Sequence, residues 1–340
     1  MKQTKLFGML LSVVLVLGLA ACGETEGNSA GSSGAASSQT AEPAAYSIAA
    51  LKGPTAMGLV KLMKDAENGE DLANDYTFSL AASPDEVSPK LIQGDLDMAC
   101  VPANLAAVLY QKTEGQIVTL AVNTLGVLYI VEKGNAVQSL DDLKGMTIVS
   151  AGKGASPEQA LRYLLDKNGE NLDGDMIVDW KSEHSESVAA LASGAATVAL
   201  LPQPFVTVAQ TKIEGLRVAL NLNEEWNKLA DDGSGLITGV IVARKDVVEE
   251  NPGAVKAFLK EYAESVDWVN ENVSEAAELI GSYGIVDAAV AEKALPACNI
   301  VCITGGEMKE KLSGYLAALL EQNPQSVGGA LPEDAFYFGA

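Results

Sequence analysis

Two similar α/β lobes, each built on a parallel sheet and joined to the other by two hinge crossings, are the fold this sequence predicts. Three observations predict it. Short apolar runs alternate with segments whose apolar residues recur at helical spacing, the signature of parallel βαβ units. One such unit occurs twice: Ile48–Met63 reads IAALKGPTAMGLVKLM and Ile148–Leu165 reads IVSAGKGASPEQALRYLL, each an apolar run, a Lys-Gly pair and a helix. Downstream of each copy, Leu91–Asn104 and Leu191–Pro204 share the spacing L-x-x-G-x-x-x-x-A-x-x-P, read as a helix ending at Gly94 or Gly194, a buried strand and a Pro-marked loop.

From the N-terminus, Lys2 and Lys5 precede the apolar run Leu6–Ala21, which is shorter than the roughly 20 residues a spanning helix needs. It ends in LAAC, Leu19 to Cys22, which resembles the lipobox of bacterial lipoproteins. That resemblance implies a signal peptide over residues 1–21 and lipidation of Cys22. Residues 22–44 are rich in Gly, Ser and Ala and cannot pack a core, so they read as a disordered tether. The folded chain then starts near Tyr46, outside the cytoplasmic membrane.

The first apolar run leads into Gly53, Pro54, Thr55 and Ala56. Pro54 suits the first position of a helix, yet no Ser, Asp or Asn precedes it as a cap. The amides of Thr55 and Ala56 and the Thr55 hydroxyl are therefore expected to face a crevice. A helix start of this kind suits an anion or an electron-rich group, with capping water as the alternative. An aspartate placed at Gly53 is expected to hold the helix while blocking a ligand. In the second copy, Gly154 and Ala155 offer amides, and Ser156 with Gln159 spells a capping box around Pro157. Ser156 is thus either cap or ligand donor. Near the C-terminus, Asn251 caps a helix begun by Pro252, with Val255, Phe258, Leu259, Tyr262 and Val266 on one buried face.

Composition excludes several functions. With 340 residues, 48% of them hydrophobic, the chain can bury a large core. Twenty-three basic residues against 45 acidic ones give a net charge of −22, which disfavours nucleic acid as a partner. A single histidine, His184, argues against a histidine-built metal site and against Ser-His-Asp catalysis. The Gly-Lys-Gly-Ala-Ser run lacks the spacing of a triphosphate loop. Cys100 reads as a buried thiol; Cys298 and Cys302 stand either as a disulfide or as free thiols.

SLDDLKGMTIVSAGKGAS, Ser139 to Ser156, resembles the SLxDLKGKxIxxxxGS signature of type II solute-binding proteins of ABC importers, the group serving nitrate, sulfonate, taurine and thiamine precursors. GDLDMA, Gly94 to Ala99, fits the GxxDxA segment of that group; Thr197 stands where its second-lobe counterpart usually has Asp. The resemblance spans Tyr46 to Phe338. It implies a type II periplasmic-binding-protein-like fold with lobe I over 45–130 and 237–340 and lobe II over 131–236, crossing near Asn123–Gly134 and Leu236–Asp246. Asn104 and Gln203, after the matched prolines, Thr124 and Thr238 near the hinges, and Trp180 after a strand complete the expected ligand set.

The leading expectation is a monomeric, lipid-anchored substrate-binding component that hands a small-molecule ligand to an ABC transporter permease, with no cofactor, metal or catalytic residue. The rivals are an enzyme of the same fold acting on a heterocyclic or carboxylate metabolite, and a ligand-sensing lobe of a membrane receptor. Paired helix starts favour an anion, the lack of an arginine at the matched junctions disfavours a highly charged one, and a neutral or zwitterionic heterocycle stays open.

Overall fold

The computed structural model describes residues 43–230 and 232–340. The segment read as a signal peptide, Cys22 and nearly all of the expected tether lie outside the described residues.

Eleven strands form two sheets among the described residues. The first sheet contains β1 (Ala45–Leu51), β2 (Asp75–Ala81), β3 (Met98–Pro102), β4 (Ile117–Leu125), β10 (Ile237–Arg244) and β11 (Ile300–Ile303), in the order β11-β4-β10-β3-β1-β2. The second contains β5 (Leu128–Lys133), β6 (Thr147–Ala151), β7 (Ile177–Lys181), β8 (Val198–Pro202) and β9 (Leu216–Asn221), in the order β7-β6-β8-β5-β9. The sequence repeat is visible in the registers. Ile48 pairs in parallel with Met98, and Ile148 in parallel with Val198. The helices before β3 and β8 both end on left-handed glycines, Gly94 (φ 87°) and Gly194 (φ 75°).

The sheets are mixed rather than wholly parallel. β10 runs antiparallel to β3 and β4, and β5 runs antiparallel to β8 and β9. The reason lies in the crossings. β1, β3 and β8 bring their C-terminal ends to the cleft between the lobes, whereas β5 and β10 enter from a crossing and bring their N-terminal ends there. Because β5 begins at Leu128, residues Leu128, Tyr129 and Ile130 belong to the second sheet and not to lobe I. The two crossings touch: a methyl group on Gly126 would sit 2.6 Å from the Leu236 side chain.

Both faces of β1 are covered. Ala49 and Leu51 join one apolar cluster, Tyr46, Ile48 and Ala50 another. The helix Pro252–Glu271 packs Val255, Phe258, Tyr262 and Val266 inward, with Asn251 Oδ1 accepting from the Ala254 amide at 3.0 Å, as its sequence predicts. The helix Gly305–Gln322 does more than serve lobe I. Its Met308, Leu312, Tyr315 and Leu316 share one cluster with Val122 and Val240 of the first sheet and with Ile148 and Leu200 of the second. Cys100, Cys298 and Cys302 are free; Cys298 caps a short 3₁₀ turn while Cys302 lies in β11.

Candidate functional site

The cleft between the sheets has a volume of about 260 Å³. Its first wall is built where β1 ends. Gly53 adopts φ 132° and ψ −162°, a backbone region that only glycine enters without strain. The turn that follows, Pro54–Met57, is four residues long. Two of its donors are used internally, the Thr55 hydroxyl to Leu51 O at 3.0 Å and the Ala56 amide to Gly53 O at 3.1 Å, while the Thr55 amide has no acceptor among the described residues. Asn123 Nδ2 donates to Thr55 O at 3.1 Å and fixes the turn from below. Gly239 allows that approach, since a Cβ there would lie 2.4 Å from Thr55 Cγ2 and 2.5 Å from Asn123 Oδ1.

The φ of Gly53 also reverses the expectation that an aspartate would cap the helix. Space is open there, with no atom within 4 Å of an added Cβ, so the penalty is backbone strain alone. Gly53→Ala and Gly53→Asp should each lose on the order of 1–3 kcal/mol of stability. Urea unfolding measures this, and an unchanged midpoint for Gly53→Ala would refute the strained turn.

The second wall begins with the helix Ser156–Lys167, and here too the expected free amides are engaged. Gly154 N donates to Glu158 Oε2 at 2.6 Å and Ala155 N to Gly152 O at 3.0 Å. The capping box predicted for Ser156 and Gln159 is absent. The helix cap is Ala155, Pro157 falls at the second helical position, and Glu158 reaches back four residues to the Gly154 amide. The Ser156 hydroxyl meets the hydroxyl of Tyr315, and Gln159 is buried with Oε1 unpaired among the described residues.

Of the sequence-predicted ligand residues, Gly53, Pro54, Thr55, Ser156 and Thr238 come together on the cleft. Ala56 is fully buried behind it. Gly154 and Ala155 sit beside it with their amides spent. Four others are elsewhere. Asn104 Nδ2 donates to Ser326 O at 3.2 Å, and Thr124, fully buried, donates to Asn123 Oδ1 at 3.1 Å. Gln203 Oε1 accepts from Thr207 Oγ1 at 2.9 Å and Thr207 N at 3.3 Å, which ties it to the first turn of the helix Phe205–Lys212. Trp180 is half-buried near the end of β7 and outside the lining.

Residues that sequence reasoning passed over complete the walls: Pro102, Pro202, Val127, Leu128, Leu236 and Ile237. The two prolines had a signal, the repeated A-x-x-P. Tyr315 had none, because it enters from a helix more than 150 residues beyond Ser156 in the chain. His184 opens the helix His184–Ser193 with its ring 5.3 Å from that of Phe205. Burial holds its imidazole below the ordinary 6.5, which keeps it neutral at pH 7. Lys52, also on the lining, is exposed. Among the described residues no group of three His, Cys, Asp or Glu is placed to hold a metal ion, and no helix is long and apolar enough to cross a membrane.

A family model described as an ABC transporter, phosphonate, periplasmic substrate-binding protein matches residues 69–294. A putative binding protein of Brucella abortus (strain 2308) is 27% identical over 213 residues, 61% of this chain. The match spans 64% of that relative's length, less than two thirds. Among solved structures, an ABC transporter protein from Parabacteroides distasonis superposes with a TM-score of 0.73 at 23% identity, covering 86% of this chain and 98% of its own. The periplasmic aliphatic sulphonate binding protein of Escherichia coli gives 0.67 at 17% identity, covering 86% and 96%. At these identities the two structures speak for the fold.

Proposed function

This chain belongs to the ABC-transporter periplasmic substrate-binding family whose model is described for phosphonate, and we propose that it captures one small solute between its lobes and delivers it to a permease. The observation that carries this reading is the cleft, lined from both sheets and from both crossings. A solute touching both walls gains contacts only when the lobes are together, so it favours the closed arrangement by that difference in affinity. The permease then has two forms to tell apart. Cells lacking this chain should lose uptake of the solute that copurifies with it, and the intact gene should restore uptake. Undiminished uptake without the chain would contradict the transport role.

Lipid anchoring through Cys22 is part of the proposal and rests on the LAAC segment. One acyl chain alone holds a protein weakly at a membrane, so the reading requires stable multiple acylation at that cysteine. Cys22→Ala should end incorporation of labelled fatty acid and release the protein from the membrane fraction. Continued labelling of the variant would sink the anchor.

A further inference from the structure

We infer that Tyr315 is a positioning residue of the cleft: carried on a helix fastened to the first lobe, it ties the second lobe's wall and limits how far the cleft opens. This deepens the function proposed above and rests on it for the cleft's purpose. The helix Gly305–Gln322 lies beyond both copies of the sequence repeat, so its contact with the second lobe is not something the repeat supplies. Its segment is secured to the first lobe at both ends. Ahead of it, β11 runs antiparallel to β4. Behind it, Ser326 O accepts from Asn104 Nδ2 at 3.2 Å, and the Phe336 ring lies 5.2 Å from that of Tyr110. The Phe338 amide then donates to Thr119 O at 2.9 Å. Asn104 and Tyr110 belong to the helix Ala103–Lys112 and Thr119 to β4, all of the first lobe.

From this base the helix reaches the second lobe at two places. Tyr315, 1% exposed, sets its ring 5.5 Å from that of Trp226 and its hydroxyl against that of Ser156. About two turns further on, Gln322 Nε2 donates to Asp166 Oδ2 at 3.0 Å. Ser156 and Asp166 lie in the first and last turns of one helix, Ser156–Lys167, whose start lines the cleft. A second-lobe wall is therefore held at both its ends by a neighbour anchored on the other lobe. Swinging the lobes apart about the two crossings has to break these contacts or drag the helix along, and its two fastenings resist the dragging. The bond at Gln322 is exposed, so the tie at Tyr315 dominates: breaking it parts a buried ring pair as well as two hydroxyls. A cleft already held near its closed form loses less of a solute's affinity to closing, so the solute binds more tightly.

Spin labels on Asp85→Cys and Ser185→Cys test this. Both residues are exposed on helices that follow β2 and β7, the outer strands beside β1 and β6. The unsubstituted chain, labelled alike, corrects for its own thiols. Pulsed electron–electron resonance reads the separation of the lobes on the full-length chain in dodecyl maltoside micelles, after dialysis has removed any solute. The wild type should give one short distance. Tyr315→Ala should raise the ratio of long to short distances roughly tenfold or more. Tyr315→Phe, which keeps the ring on Trp226, should fall between the two. Ser156→Ala should match Tyr315→Phe and add nothing to it, since both remove the same contact. If Tyr315→Ala does not fold, Ser156→Ala combined with Gln322→Ala cuts both polar ties and leaves the core intact. A distribution in the tested variant that matches the wild type overturns the tie, as does a wild type spread over two distances of similar weight. No solute enters the measurement, so the tie and the transport role fail separately.

Discussion

Replacing Trp226 with alanine should lower the unfolding free energy by about 3–5 kcal/mol, the range for emptying a large aromatic site. Its indole is fully buried in the helix Leu222–Leu229. Tyr163 of the helix Ser156–Lys167 stacks on it with ring centres 4.1 Å apart, and Tyr315 of the helix Gly305–Gln322 lies 5.5 Å away. Nε1 donates to Ser234 Oγ at 3.0 Å, on the crossing that leads into β10. One side chain therefore holds a second-lobe helix pair, the helix spanning both sheets, and a hinge segment. Because the Tyr315 hydroxyl meets Ser156 at the cleft, the loss should also loosen the ligand wall. Trp226→Phe keeps most of the packing and strands the buried Ser234 hydroxyl, for a smaller loss of about 1–3 kcal/mol. Guanidinium unfolding of both variants gives the comparison. Equal losses for Phe and Ala would mean that packing around the indole is not what binds these elements.

Arg217→Ala should cost about 3 kcal/mol at neutral pH, because it leaves a buried carboxylate without its cation. Glu132 and Arg217 are cross-strand partners on β5 and β9, 2.6 Å apart from Oε2 to Nη2. Glu132 is 3% exposed and also accepts from the amides of Ala136 (2.7 Å) and Val137 (3.2 Å). The low end of the range applies because 29% of the Arg217 side chain meets solvent. Burial works to raise the Glu132 carboxyl, but the two amides and Arg217 outweigh it and hold the group below its ordinary 4.5. A carboxyl depressed in the folded state adds stability that is fully present above its unfolded value and fades as pH falls through its folded value. In Arg217→Ala the depression weakens, and protonated Glu132 needs no cation, so the penalty should shrink on going from pH 7 to pH 4. Urea unfolding at the two pH values measures it. A deficit that stays constant or grows in acid would contradict the pairing.

Local signals in the sequence carried much of the fold. Asn251 ahead of Pro252, the glycines at 94 and 194, and the alternation of apolar runs with helical faces each act within a few residues of themselves, where backbone geometry and capping are decided. The sense of β5 and β10 was not legible, since a short apolar run buries equally well in either direction, and only the crossing fixes which way the chain enters. The site was legible in outline and misread in its donors. The repeat located both strand ends at the cleft. The bare helix starts were read as free amides; the Thr55 amide has no acceptor among the described residues, whereas Glu158 turns back on Gly154, and Gly53 O and Gly152 O take the Ala56 and Ala155 amides. Asn104 and Gln203 have the chemistry of ligand residues, yet one is claimed by Ser326, distant in sequence, and the other by Thr207 in the helix that follows it. Nothing in their local spacing encodes those partners.

The central claim is that one small molecule sits between the lobes, and native mass spectrometry of the full-length chain tests it most directly. The chain is purified without added ligand and sprayed from detergent beside Thr238→Trp. A one-to-one adduct of a small molecule on the wild type, released on activation, and no adduct on the variant, whose indole fills the cleft, are expected. An adduct of equal occupancy on both proteins, or none on the wild type even after incubation with a small-molecule extract of the growth medium, would contradict it.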